Sequence, residues 1–325
     1  MLTAYLFDRS RGESVDDWAA RAENLTSTDV LWIDLQGPSS DEWSEVCKVL
    51  NIAADPSPLR QARRPAAQVH LHDDYFHVTS VVAPDEDDAV EPASWVLEAL
   101  AGDNWVVTVH EQDSPLVDDF QEIATGAGQM GALDAPSFLA TLLERVILSY
   151  TDAFEDIEER LQDFDADVLR SHDGDLDARV DTLVAARQRV GDLRRALAPH
   201  RRVYTTLSHG EIDAVSTEAS AERFMHLADQ VSDALATARD AREAVVNSFD
   251  MLILRTENRT NEIVKVLTLT SILLLPGALL AAIMGMNVNL AGSDFATSGV
   301  FWGTIVAVVA IIGVTLGIAR ARRWI

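Results

Sequence analysis

Hydrophobic positions fall into three regimes along the chain. Up to about residue 113, short apolar runs alternate with polar breaks. VLWIDLQG (30–37), YFHVTSVVA (75–83), SWVLEAL (94–100) and NWVVTVHE (104–111) are rich in Val, Trp and aromatics and are bounded by Gly, Pro and Asp, a pattern of strands mixed with short helices. From Pro136 onward the period lengthens to that of a helix. Residues 137–170 and 176–208 read as two amphipathic helices separated by the turn-like SHDGD. A third helix begins near Ser220, where Phe224, Ala228, Val231, Leu235, Ala238, Val245, Phe249 and Leu252 follow spacings of three and four, with Arg242 the one break. No stop signal ends it before the last regime. There, Val266–Met286 and Gly299–Ala319 run for about twenty residues each without a charge, the length needed to cross a ~30 Å hydrocarbon core.

These periods predict an α/β or α+β domain over 1–136, paired helices over 137–218 and a long helix over 219–265. That helix continues into a first membrane span, 266–287, for a total length on the order of 100 Å. A short loop, 288–298, leads to a second span, 299–319, and a basic tail, 320–325. Lys and Arg concentrate on the cytoplasmic side of membrane proteins. Arg255, Arg259 and Lys265 precede the first span, Arg320, Arg322 and Arg323 follow the second, and the connecting loop has none. Both termini are therefore expected in the cytoplasm, with the loop outside. The first residues, MLTAYLFDRSRGES, lack a basic region followed by an apolar core, so no signal peptide is expected there.

Charge narrows the function. The chain of 325 residues has 52 acidic and 26 basic residues, a formal charge of −26, with nearly all acids before residue 263. Such a surface repels nucleic-acid phosphates and attracts cations, or simply keeps the domain soluble. The single cysteine, Cys47, excludes an internal disulfide and a multi-cysteine zinc site. No H-E-x-x-H, G-x-S-x-G or Walker motif supports hydrolysis or ATP-driven pumping, so the chain does not read as an enzyme.

Several constellations carry competing readings. HLHDDYFH (70–77) puts His70, His72 and Asp74 on one side of a predicted strand, as a metal site or as decoration of an exposed sheet edge. GAGQMG (126–131) matches a dinucleotide fingerprint, but the segment before it looks helical, which favours a linker or helix end. The acidic run DAFEDIEERLQDFDAD (152–167) is a solvated helix face or an electrostatic funnel for cations. In the first span, steps of three and four from Asn261 reach Val264, Thr268, Ser271, Leu275, Ala278 and Ala282, ending beside Gly285 and Asn287. This face of small and hydroxyl-bearing residues suits a wall between water and lipid, or close helix packing in a membrane. Pro276 deprives the Ile272 carbonyl of its helical donor. Two spans cannot enclose a pore, so a pore lined by this face needs several copies around an axis. A ring of Asn287 amides at the outer mouth would then hold a hydrated divalent ion such as Mg²⁺ without trapping it.

Gly285, Met286 and Asn287 at the end of the first of two C-terminal spans, with Pro276 and the terminal RARRWI, closely resemble the CorA-type magnesium transporter family. WIDLQGPSSDEW (32–43), NWVVTVHE and RALAPHRRVYTTL (195–207) extend the resemblance over almost the whole chain. It implies a homopentamer with a funnel-shaped cytoplasmic domain, in the cytoplasmic membrane. Uptake would be passive and driven by the membrane potential, with closure when cytosolic Mg²⁺ fills acidic sites between subunits. Mg²⁺ is then both cargo and regulator, with no organic cofactor. By position, Asn287 matches the selectivity ring, Asn261 a polar ring at the cytoplasmic end, and Leu275 and Val264 the hydrophobic constrictions. Lys265, Arg320, Arg322 and Arg323 form a basic collar. Asp250 falls where the family's regulatory carboxylate lies, with Asp85 to Asp88 as candidate partners. Val288 replaces a common aromatic, Ala278 a frequent threonine, and the outer loop has Asp294 but lacks Met-Pro-Glu. The sister zinc-transporting branch usually varies the middle residue of the triplet, so Met286 favours magnesium. Alternatives are a Zn²⁺ transporter of the same fold and a membrane-anchored cation sensor that conducts nothing.

Overall fold

A computed structural model describes residues 1–8, 12–26, 28–53, 66–84, 95–111, 114–126, 133–170, 175–209, 217–285 and 298–321. The chain divides into two compact units, Met1–Phe249 and Asp250–Ile325.

The first unit is built on a seven-stranded sheet of order β2-β1-β3-β7-β6-β5-β4, formed by β1 (Leu2–Phe7), β2 (Gly12–Ser14), β3 (Val30–Gln36), β4 (Gln68–Leu71), β5 (Phe76–Val82), β6 (Trp95–Ala101) and β7 (Trp105–His110). Only β3 and β7 run parallel; the remaining pairs are antiparallel. The central strands are almost continuously apolar because helices cover both faces. On one face Leu31, Ile33, Leu35, Val107 and Val109 pack with Trp18 of α1 (Trp18–Ala22) and with Trp43, Val46 and Cys47 of α2 (Ser40–Val49). On the other, Trp32 meets Phe120 of α3 (Pro115–Gly126) edge-on at 5.4 Å and Phe138 of α4 (Ala135–Arg170) at 5.6 Å, geometries that aromatic rings favour. α2 starts in a reciprocal box: Ser39 Oγ accepts the Glu42 N–H at 3.2 Å and Glu42 Oε2 accepts the Ser39 N–H at 2.8 Å. Its end turns through Asn51 at φ 54. Gly102, in the β6–β7 turn, has no alternative, since a Cβ there would lie 2.4 Å from the Trp105 indole.

Two carboxylates are buried in the sheet, and both are engaged. Asp34 accepts from Thr108 Oγ1 and lies 3.2 Å from His110 Nε2, while Thr108 in turn accepts the Trp32 indole N–H at 3.0 Å. Glu98 accepts from Thr79 at 2.8 Å and pairs with His77 Nε2 at 2.6 Å. Buried polar groups are retained in a core only with such partners.

Helices also finish the sheet. β4 pairs with β5 from Phe76 to Thr79, and among the described residues the edge of β5 beyond it has no strand neighbour. There the Val81 carbonyl accepts from Tyr150 Oη of α4 at 2.8 Å, and the Val81 N–H donates to His200 Nε2 of α5 (Leu176–Ser208) at 3.2 Å. His200 Nδ1 donates to the Leu197 carbonyl at 3.1 Å. Accepting from Val81 requires a neutral ring, and burial pushes the His200 pKa down from 6.5 to about 4.

α6 (Glu218–Gly285) has 68 residues. Thr217 caps it by accepting the Ser220 N–H at 3.1 Å, and the Thr217 hydroxyl donates to Asp134, which also caps α4 by accepting the Ser137 N–H at 2.9 Å. Phe224 meets Phe76 edge-on at 5.9 Å. The buried stripe continues through Leu227, Ala228, Val231, Ala234, Ala238, Ala241, Val245 and Leu252. The expected break at Arg242 is absent from this stripe because it runs through Ala234 and Ala241, leaving Leu235 half-buried and Arg242 exposed. Alanine is short enough for close helix packing, and hydrophobicity alone had favoured the larger leucine.

The second unit contains the remainder of α6 and α7 (Ser298–Ala321). Among the described residues, one helix is long and apolar enough to cross a membrane, and α7 contributes the shorter apolar stretch Ile305–Thr315.

Candidate cation pathway

The C-terminal part of α6 is apolar on almost every side and uncovered within the chain. Ile263, Val264, Val266, Leu267, Ile272, Leu274, Leu275 and Leu279 are all exposed, which is stable only against lipid or against other copies. One side differs. Leu269, Leu273, Pro276 and Gly277 are half-buried, and a Cβ on Gly277 would reach Val308 of α7 at 3.9 Å. At about 100° per residue these four share one side of α6, and Asn261, Val264, Thr268, Ser271, Leu275 and Ala278 lie on the opposite side. All six are exposed. Ser271 donates its proton to the Leu267 carbonyl at 2.8 Å, so its oxygen remains an acceptor. The face turned from α7 thus combines an amide, two hydroxyls and small or branched apolar groups. Such a surface can line water without binding an ion tightly.

α6 ends at Gly285; Met286, Asn287, Val288, Asp294, Arg322 and Arg323 lie outside the described residues. Lys265 and Arg320 are exposed. Asp250 is exposed on α6, and its candidate partners Asp85 to Asp88 lie outside the described residues.

Other candidates resolve differently. β4 stops at Leu71, so His70, His72 and Asp74 do not share a strand face. His72 stacks on Tyr75 at 4.2 Å, and His70 instead faces His77 across the β4–β5 pair at 6.1 Å. Among the described residues no group of three His, Cys, Asp or Glu side chains is arranged to hold a metal ion. The glycine-rich 126–131 stretch follows α3, not a strand, and its remainder, 127–131, lies outside the described residues. The acidic run occupies α4, with Asp152, Glu155, Glu159, Asp163 and Asp167 exposed. Glu158 is half-buried, and burial together with Asp240 and Glu155 raises its pKa above the ordinary carboxylate value. The Asp34 and Glu98 clusters escaped the sequence reading because their partners lie on other strands.

Residues 27–319 match the family described as CorA-like Mg²⁺ transporter protein. The chain belongs to that family. The cobalt/magnesium transport protein CorA of Methanocaldococcus jannaschii is 19% identical over 298 residues, covering 91% of this chain and 92% of that protein. The complete structure of the CorA magnesium transporter from the same organism matches with TM-score 0.76 and 17% identity, covering 99% of this chain and 98% of that one. The ZntB cytoplasmic domain from Vibrio parahaemolyticus matches with TM-score 0.58 and 14% identity, over 79% of this chain and 99% of that domain; at this identity the likeness is one of fold. CorA-like proteins are membrane transporters of divalent cations rather than enzymes. The α/β domain, long helix and C-terminal apolar helices described above are the CorA fold.

Proposed function

We propose that this chain forms a passive pathway for divalent cations through the cytoplasmic membrane, with Mg²⁺ as the principal cargo and Co²⁺ or Ni²⁺ able to follow. The observation that carries the reading is the exposed face of α6 from Asn261 to Ala278, on the side opposite Gly277 and α7. Two spans enclose nothing alone, so copies of this face surround a common axis, as a homopentamer by family resemblance. Asn287 then forms a ring of neutral amide oxygens that accepts a hydrated ion, with Gly285 and Met286 setting the turn. Thr268 and Ser271 line the middle, Leu275 and Val264 narrow it, and Asn261 rings the cytoplasmic end. The membrane potential supplies about 2.3 kcal/mol per charge per 100 mV, twice that for a divalent ion. Asp250 holds an inhibitory Mg²⁺ with an acid from a neighbouring copy. Lys265, Arg320, Arg322 and Arg323 form a basic collar at the cytoplasmic surface, and Asp294 stands at the outer loop. Both termini are cytoplasmic.

Flux into liposomes containing the purified chain tests this reading. Mg²⁺ entry that follows an imposed potential and is lost in Asn287→Ala is expected. Zn²⁺-only flux would transfer the function to the zinc-transporting branch, and absence of flux of either ion would leave a cation sensor.

A further inference from the structure

α5 presents two unlike faces. Its buried face, His200 and Tyr204 included, packs on the sheet. The opposite face carries Ala198, Arg201, Arg202, Thr205, Thr206 and His209, which line an open groove of about 580 Å³. The spacing yields two adjacent rows of the same composition, Arg201 with Thr205 and Arg202 with Thr206, each four residues apart. The cation pathway uses none of these groups.

The groove sets two positive charges at adjacent positions beside hydroxyls on one helix face. In a chain with 52 acids and 26 bases, some arginines are neutralised by carboxylates: Arg21 pairs with Asp17, Arg145 with Asp119, Arg179 with Asp167 and Arg195 with Asp192. Arg201 and Arg202 are both exposed, and among the described residues neither has a carboxylate partner. The Thr205 hydroxyl donates to the Arg201 carbonyl at 2.8 Å, whereas Thr206 keeps its donor free among the described residues. Two planar guanidinium forks beside a hydroxyl donor suit tetrahedral oxyanions, whose oxygens they can grip two at a time. The surrounding charge of −26 sets the size of the ligand. A long polyanion would have to lie along acidic surface, but a compact one with several charges can enter the groove alone.

We propose that this groove binds small, free phosphoryl anions, foremost the polyphosphate of a nucleoside triphosphate, with Arg201 and Arg202 holding non-bridging oxygens and Thr206 donating to the same group. The full-length chain in detergent, dialysed against labelled ATP without divalent ions, is expected to bind saturably, and inorganic triphosphate should compete. Arg201→Gln with Arg202→Gln should weaken binding at least tenfold. Arg201→Lys with Arg202→Lys, which keeps the charge but loses the fork, should weaken it severalfold. Arg194→Gln, exposed but outside the groove, should leave it unchanged. Circular dichroism melting of each variant separates loss of binding from loss of fold. The proposal is overturned if no saturable binding occurs up to millimolar ATP, or if the double Gln variant binds as the parent does. It is equally overturned if the arginines serve only vesicles of anionic lipid, or if their loss disperses the assembly while ATP binds nowhere, which would assign the face to carboxylates of another copy.

Discussion

His200 should make the first unit acid-sensitive in a way that one substitution removes. The ring is buried neutral, accepting the Val81 N–H, with its pKa lowered from 6.5 to about 4. Between these values the unfolded chain binds a proton that the fold excludes, so stability is complete above pH 6.5 and falls as pH drops toward 4. The full difference is worth about 3 kcal/mol at about 1.36 kcal/mol per unit. Moving from pH 7.5 to 4.5 should therefore cost about 2.5 kcal/mol, roughly half of it already lost by pH 5.5. Hydrogen exchange of β5 peptides containing Val81, in the full-length protein and corrected for intrinsic exchange, reports the opening free energy at each pH. His200→Gln cannot titrate, so the parent should lose about 2.5 kcal/mol more than the variant over this range, with other titrations cancelling in the comparison. If the two lose protection in parallel, to within about 0.5 kcal/mol, the neutral buried ring is not what ties α5 to the sheet.

Glu158→Gln should stabilise the protein at pH 7.5. The fold disfavours the Glu158 carboxylate through burial, Asp240 and Glu155, so the penalty appears as pH rises above 4.5. Because the group is partly solvated, the gain is a few tenths of a kcal/mol, and a lower unfolding midpoint for the variant at pH 7.5 would contradict this sign. Phe224→Ala removes the ring packed edge-on against Phe76 and should cost about 3–5 kcal/mol in urea unfolding followed by tryptophan fluorescence; a loss below about 1 kcal/mol would show that α6 is anchored elsewhere. Asp250→Ala should raise severalfold the cytosolic Mg²⁺ concentration that stops the current, and unchanged inhibition removes Asp250 from regulation.

The amphipathic helices and four central strands were legible in the sequence because local periods carry them. β3, β5 and β7 fall within the quoted apolar runs, β6 runs one residue past its run to Ala101, and α5 spans 176–208 as predicted. Sheet order was not legible, since no local signal indicates that β3 lies beside β7 rather than near β5. Asp34 and Glu98 carry no local signal in the sequence because Thr108, 74 residues away, and Thr79, 19 away, supply their hydrogen bonds. The box Ser39–Glu42 was present as a motif although α2 was not read from it. The alternation assigned to His70, His72 and Asp74 assumed that β4 continued past Leu71. Three-and-four spacing groups Asn261 to Ala278 on one face, and the six residues are exposed together. Which side of α6 receives α7 was invisible, because Gly277 becomes informative only when Val308 is set beside it.

Among the described residues the sheet ends at both margins on its briefest strands, three residues in β2 and four in β4. Proteins confined to a bilayer meet one another far more often than they would in free solution, and a long bare margin would let neighbouring sheets zip together irreversibly. Margins this short offer too few backbone groups to start such fusion, so crowding can bring these domains side by side without gluing them.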